Sequence, residues 1–143
     1  MILRPATPID IATMHRIRLA VRENRLSDPT RVTPANYVRY VEETGASWVA
    51  EFEGSVAGFG IADRASRSLW ALFVDPDFEG RGVGRALLQR LTDGLFEAGR
   101  EPINLSTAPG TRAERMYLAA GWARISELPT GEVWLARTRP GED

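Results

Sequence analysis

The apolar positions of this 143-residue chain fall into stretches whose spacing switches between the helical and the extended period. Ile2 to Arg4 read as a short strand stopped by Pro5. Ile11, Met14, Ile17, Leu19 and Val21 then recur on one rough face, with Asp10 placed to cap it, and predict a first helix ending between Leu19 and Arg22. The loop "NRLSDPTRV" follows. Thr33 before Pro34 predicts a capped second helix to about Glu43, ended by Gly45. "ASWVAEFEG", "SVAGFGIAD" and "SLWALFVDP" read as a three-stranded antiparallel meander, turning at Glu53-Gly54 and through "RASR".

The period then returns to four. Val83, Leu87, Leu91 and Leu95, joined by Ala86, Leu88 and Ala98, predict a third helix closed by Gly99. "PINLST" is a strand and "TRAERMYLAAG" a fourth helix closed by Gly121. "WARISEL" and "EVWLART" pair around Pro129-Thr130-Gly131 as a final hairpin. The expected fold class is α/β of the α+β type, one domain over residues 1–139 with a frayed tail at 140–143.

Composition narrows the chemistry. Eighteen basic against nineteen acidic residues give a net charge of −1, which argues against nucleic-acid or membrane partners. No cysteine is present, so disulfides, thiolate nucleophiles and cysteine-held zinc are excluded together. His15 is the only histidine, which removes a histidine-rich metal site, and no metal is expected. The opening "MILRPATPID" lacks the pattern of a signal peptide, and no apolar run approaches the ~18 residues of a membrane span. A cytoplasmic enzyme or binding domain is the expectation.

The densest chemistry lies in "VDPDFEGRGVGRALL", Val74 to Leu88. Glycine allows positive φ and lets a ligand reach backbone N–H groups. Gly80, Gly82 and Gly84 run directly into a helix whose first N–H groups have no internal partner, and Arg81 and Arg85 add positive charge. Together these make an anion site, with phosphate the usual anion. The plainer account is a tight strand-to-helix turn. Two familiar phosphate loops fail: Arg85-Ala86 stands where a P-loop has Lys-Ser or Lys-Thr, and Arg85 occupies the small sixth position of a dinucleotide fingerprint.

The stretch resembles the acetyl-coenzyme A site of the GNAT superfamily of N-acetyltransferases. Val74, Pro76, Gly82 and Gly84 match its Val-x-Pro and glycine pattern, and "RALL" follows. "AERMYLAAGW" resembles the family's second block through Ala113, Tyr117, Gly121 and Trp122. The order of elements agrees along nearly the whole chain. The resemblance implies a mixed, mostly antiparallel sheet of about seven strands with about four flanking helices, splayed between strands four and five.

It further implies acetyl-coenzyme A as co-substrate, held at its pyrophosphate by the backbone of Gly80, Arg81, Gly82, Val83, Gly84 and Arg85. The pantetheine arm would run along Leu72, Phe73 and Val74. The N–H of Leu72 would stabilise the oxyanion and Tyr117 would protonate the leaving sulfur; the plainer role for Tyr117 is packing. Two positions depart from the pattern. Glu79 replaces Gln or Arg and is expected to face solvent or pair with an arginine. Gly110 replaces an asparagine, leaving its contact to backbone or to Thr111.

The general base is open. Ser68 stands where a glutamate is common, and Asp63 and Glu23 are candidates more readily read as surface charges. Arg18, Arg22 and Arg25 could bind a substrate carboxylate or form a solvated helix face. His15 reads as a surface or packing residue, and Trp48, Trp70, Trp122 and Trp134 as core residues on strands, with Trp70 alternatively walling the acceptor pocket. The implied activity is acetyl transfer to a primary amine of a small molecule, protein or peptide by direct attack through a tetrahedral intermediate. A non-catalytic acyl-coenzyme A sensor and an unrelated phosphate-binding module are the alternatives, and a homodimer is an analogy from the family.

Overall fold

The computed structural model describes residues 1–21 and 32–141. The chain runs β1 (Ile2–Pro5), α1 (Ile11–Ala20), α2 (Val38–Glu42), β2 (Ser47–Phe52), β3 (Ser55–Asp63), β4 (Ser68–Val74), α3 (Val83–Ala98), β5 (Ile103–Thr107), α4 (Arg112–Ala119), β6 (Ala123–Glu127) and β7 (Val133–Arg137). These strands form one sheet in the order β1-β2-β3-β4-β5-β7-β6, antiparallel throughout except for β4 against β5. Glu53 and Gly54 both take positive φ, the conformation a two-residue hairpin between β2 and β3 requires. Among the described residues no helix is long and apolar enough to cross a membrane.

The two faces of the sheet are filled differently. Met14 and Ile17 of α1, with Tyr37 and Tyr40, pack against Val49, Phe59, Ile61 and Ala71. On the other face the α3 stripe of Leu88, Leu91 and Leu95 packs with Leu69, Ile103, Leu105, Tyr117 and Trp122. Each such fully buried Leu or Ile contributes about 1.5–3 kcal/mol from apolar transfer.

One irregularity governs β4. Ile61 pairs with Ala71 but Ala62 pairs with Leu69, so Trp70 is an extra residue, a β-bulge. Trp70 and Ala71 consequently pack with the α1 cluster, while Leu69 and Leu72 pack with the α3 clusters. Beside the bulge the sheet opens, because Ser68 with Asn104 is the one registered pair between β4 and β5. Asn104 clamps that closed end, its side-chain amide donating to the carbonyls of Ser66 and Arg67 at 3.2 Å. The Arg67 guanidinium reaches across to the carbonyls of Leu95 and Gly99 at the end of α3.

Several local expectations need correction. Asp10 is the N-cap residue of α1 as expected, but its side chain makes no capping bond to that helix. The residue closes a 3-10 turn, Pro8–Asp10, and its carboxylate accepts the N–H of Thr7 at 2.7 Å. The second helix starts as a 3-10 turn at Pro34–Tyr37 and ends at Glu42, with the Thr33 N–H bonded to Asn36 Oδ1 at 2.7 Å. Trp122 is buried but precedes β6, and Trp134 lies on β7 with 39% exposure, so it is not a core residue. Part of the tail expected to fray lies outside the described residues.

Candidate active site

The opening between β4 and β5 is a cleft of about 830 Å³. Trp70, Leu72 and Phe73 of β4, Arg18 of α1, Tyr117 of α4 and Glu132 before β7 contribute to its walls. Because β4 and β5 separate beyond Ser68, every second backbone N–H and C=O on that edge of β4 has no strand partner. An extended chain with amide groups can pair with such an edge.

At the far end of β4 the chain turns through Pro76–Phe78 into the glycine loop. Gly80 and Gly82 have φ of 78° and 82°, a region costly for other residues. Gly84 serves differently: an added Cβ would lie 3.2 Å from Met116 Sδ and 3.3 Å from Val74 Cγ2, so it lets α3 approach α4 and β4. The turn account therefore explains part of the glycine pattern. It does not explain the helix start. Gly82 is the N-cap of α3 and supplies no side-chain bond, so the N–H groups of Val83, Gly84 and Arg85 are uncapped among the described residues. Arg81 and Arg85 are exposed beside them, with Arg81 leaning over the rings of Phe52 and Phe78.

Thr111 sits at the neighbouring helix start with its hydroxyl occupied. It accepts the N–H of Glu114 at 3.1 Å, as the N-cap of α4, and donates to the Ala108 carbonyl at 2.9 Å. Gly110, with positive φ, directs its N–H to Glu114 Oε1 at 2.9 Å. Glu79 pairs with Arg112 at 3.2 Å.

The structure thus brings Leu72, Phe73 and Tyr117 together on the cleft, while Val74, Gly80 through Arg85 and Thr111 stand beyond its end. Tyr117 is buried against Trp122, their ring centroids 5.8 Å apart, yet it lines the cleft. Its hydroxyl makes no hydrogen bond among the described residues, and burial pushes the phenol well above its ordinary pKa. The proton is held firmly at neutral pH.

Of the candidate bases, Ser68 lines the cleft, its hydroxyl 2.6 Å from that of Ser66. Asp63 is taken. Burial raises its pKa, but bonds from Tyr40 at 2.9 Å and the Ser66 N–H, with the Arg39 charge at 2.8 Å, outweigh burial and hold it low. Glu23, Arg22 and Arg25 lie outside the described residues. His15 does not line the cleft. Its Nδ1 is 3.1 Å from the Tyr37 hydroxyl, and burial, then the Arg18 charge, lowers its pKa.

Glu132 is the residue that sequence reasoning passed over. It is the one carboxylate on the cleft wall among the described residues. The turn from Leu128 to Glu132, closed by the Leu128 N–H on the Glu132 carbonyl at 2.8 Å, places it there. Its position before a strand in the final hairpin carried no chemical pattern that marked it.

The acetyltransferase (GNAT) family model matches residues 12–122. Over 80 residues, 51% of this chain and 26% of the relative, the chain is 40% identical to mycothiol acetyltransferase from Propionibacterium freudenreichii subsp. shermanii. It is 28% identical to L-2,4-diaminobutyric acid acetyltransferase from Nocardia farcinica over 129 residues, 82% of this chain and 67% of that one. The chain therefore spans about a quarter of the first relative and two thirds of the second. The structure of yncA from Salmonella typhimurium with its cofactor acetyl-CoA superposes with a TM-score of 0.77 at 20% identity, covering 100% of this chain and 98% of that one. At that identity the likeness is one of fold.

Proposed function

The chain belongs to the acetyltransferase (GNAT) family, and from that premise we propose that it moves an acetyl group from acetyl-coenzyme A to a primary amine of a small molecule or peptide. The observation that carries this reading is the junction of an uncapped helix start with an open strand edge. The N–H groups of Val83, Gly84 and Arg85, beside Arg81 and Arg85, suit a diphosphate. The exposed edge of β4 suits an amide-containing arm of extended shape. A cleft of about 830 Å³ has room for that arm and a small acceptor. The acetyl-CoA carried by the Salmonella structure supports the assignment.

Bound acetyl-coenzyme A supplies an activated acyl thioester. The C–N bond forms first, placing charge on the thioester oxygen, and the C–S bond then breaks, so one proton must leave the amine and one must reach the sulfur. Leu72 offers a backbone N–H to the oxygen that gains negative charge. Tyr117 holds a proton at the cleft for the departing sulfur. Its raised pKa makes it a weak acid, but the same burial raises the basicity of a thiolate formed beside it, so the mismatch shrinks. Glu132 is the carboxylate available to the amine proton, directly or through water. Serine at position 68 leaves β4 without one.

The decisive assay is coenzyme A release from acetyl-coenzyme A with a panel of amino acids, diamines, arylamines and peptides. Amine-dependent release, slowed roughly tenfold or more in Tyr117→Phe, is the expected result. Tight coenzyme A binding with no turnover across the panel would favour the sensor reading instead.

A further inference from the structure

The cleft contains a cation that the transfer chemistry above does not use. Arg18, on α1, lines the wall with Trp70 and Phe73. Its guanidinium carbon lies 5.2 Å from the Trp70 ring centroid and 4.8 Å from that of Phe73. Nε and Nη1 are shielded from water and have no hydrogen-bond partner among the described residues. No carboxylate among the described residues forms an ion pair with it, although seven other arginine–carboxylate pairs hold elsewhere. Its neighbours are Tyr37, whose phenol is raised by burial and lowered in part by the charge of Arg18 and by a hydrogen bond with it, and His15, whose pKa is lowered by burial and then by the Arg18 charge. Neither supplies a negative charge.

A charged group with unmet donors is costly inside a protein, and such groups are rare outside functional sites. The two aromatic rings offset part of that cost, because a cation is attracted to their faces. They offer no hydrogen-bond acceptor to Nε and Nη1. The β4 bulge matters here: it places Trp70 on the α1 side, where an unbroken alternation would have turned it away from Arg18. The rings and the helix thus hold this cation on the wall of the cleft. A carboxylate in the cleft would supply the counter-charge and a charge-assisted acceptor for this guanidinium; a neutral amide does not supply the charge.

We propose that Arg18 is a specificity-determining residue that anchors a carboxylate of the acceptor, so that the preferred acceptors are amino acids with a free carboxylate rather than simple amines. The inference rests on the acetyl-transfer reading of the cleft, and it adds the acceptor class. Glu132, on the same cleft, provides the opposite charge for an ammonium group before its proton is lost. A zwitterionic amino acid meets both.

The test compares acids with their carboxamides: L-2,4-diaminobutyrate and the common amino acids, each against its own carboxamide, in the intact protein and in Arg18→Met and Arg18→Lys. The wild-type chain should show a kcat/KM at least roughly tenfold higher for acid than for carboxamide, the scale of a charge-assisted bond. Arg18→Met should collapse that preference, raising the acceptor KM of the acids by a much larger factor than that of the carboxamides. Arg18→Lys should recover only part. Independently of turnover, the Nε–H signal of Arg18 in nitrogen-15 spectra of the coenzyme A complex should shift with the acids and not with the carboxamides. Should the wild type use both classes alike, the variant lose both alike, or that signal stay still, the anchor is wrong. A shifting signal with no turnover of any amine would retain the anchor and reject the transfer reading. If Arg18→Met does not fold, the wild-type comparison and the spectra decide.

Discussion

The Glu79 carboxylate stands 3.2 Å from the Arg112 guanidinium, tying the glycine loop before α3 to the first turn of α4. An anion that would otherwise oppose phosphate binding is thereby held by a cation of the neighbouring helix. Both side chains are about half exposed, so the pair contributes no more than about 1 kcal/mol to stability. Glu79→Gln should leave unfolding nearly unchanged and tighten coenzyme A binding a few-fold at low salt, the gain fading as salt rises. Titration at two ionic strengths reads this out.

Gly82 offers a cleaner probe of the loop. Its φ is 82° and an added Cβ would meet nothing within 4 Å. Gly82→Ala should therefore cost only the backbone strain of about 1–2 kcal/mol, whereas a valine would add the strain of a branched side chain. If the space is used by a diphosphate, coenzyme A affinity should fall by much more than that strain explains. Denaturant unfolding and ligand titration on the same variant separate the two effects.

Tyr117→Phe removes a hydroxyl without a hydrogen-bond partner among the described residues, so stability should change by less than about 1 kcal/mol. The rate should fall roughly tenfold or more if the phenol supplies the proton. Burial raises its pKa, so the folded chain retains this proton after the unfolded chain has begun to lose its own. The contribution is intact below about pH 10 and stability declines as pH climbs beyond that value. Tyr117→Phe should flatten that alkaline decline, measured by unfolding at pH 8 and pH 10.5.

Arg4 grips Asp10 through two bonds of 2.8 and 2.9 Å and Glu51 through a third of 2.6 Å, joining β1 to the start of α1 and to β2. The Arg4 bonds, opposed by burial, hold the Asp10 carboxyl below its usual range. Its stabilisation is present above the unfolded value of about 3.9 and is lost as pH falls below it. Asp10→Asn should cost roughly 1–3 kcal/mol at pH 7, and much less at pH 3. Chemical unfolding at the two values checks the difference.

Much of this architecture was legible because hydrophobic period reports which face is buried. The stripe Val83, Leu87, Leu91, Leu95 foretold α3 to within a residue, and Glu53-Gly54 foretold its hairpin, since few residues accept both positive φ values. The Trp70 bulge was not legible, because one extra residue in a strand leaves no mark on composition; it emerges only from the register with β3. Asp10 was read as the cap of α1 because sequence shows its position and not its partners: its carboxylate instead accepts the Thr7 N–H and two bonds from Arg4. Glu132 and the isolation of Arg18 depend on which strands separate and which rings close around a side chain. Arg18 was visible as a possible carboxylate ligand, but only the rings of Trp70 and Phe73 and its unmet donors set it apart from a solvated helix face.

Isothermal titration of folded wild-type chain with acetyl-coenzyme A and with coenzyme A tests the account most directly, because uncapped N–H groups at α3 and the unzipped edge of β4 are its foundation. Saturable one-to-one binding of both, weakened by Gly82→Ala and by added salt, is the predicted result. Absence of binding heat at several temperatures, with the protein shown to be folded, would contradict it.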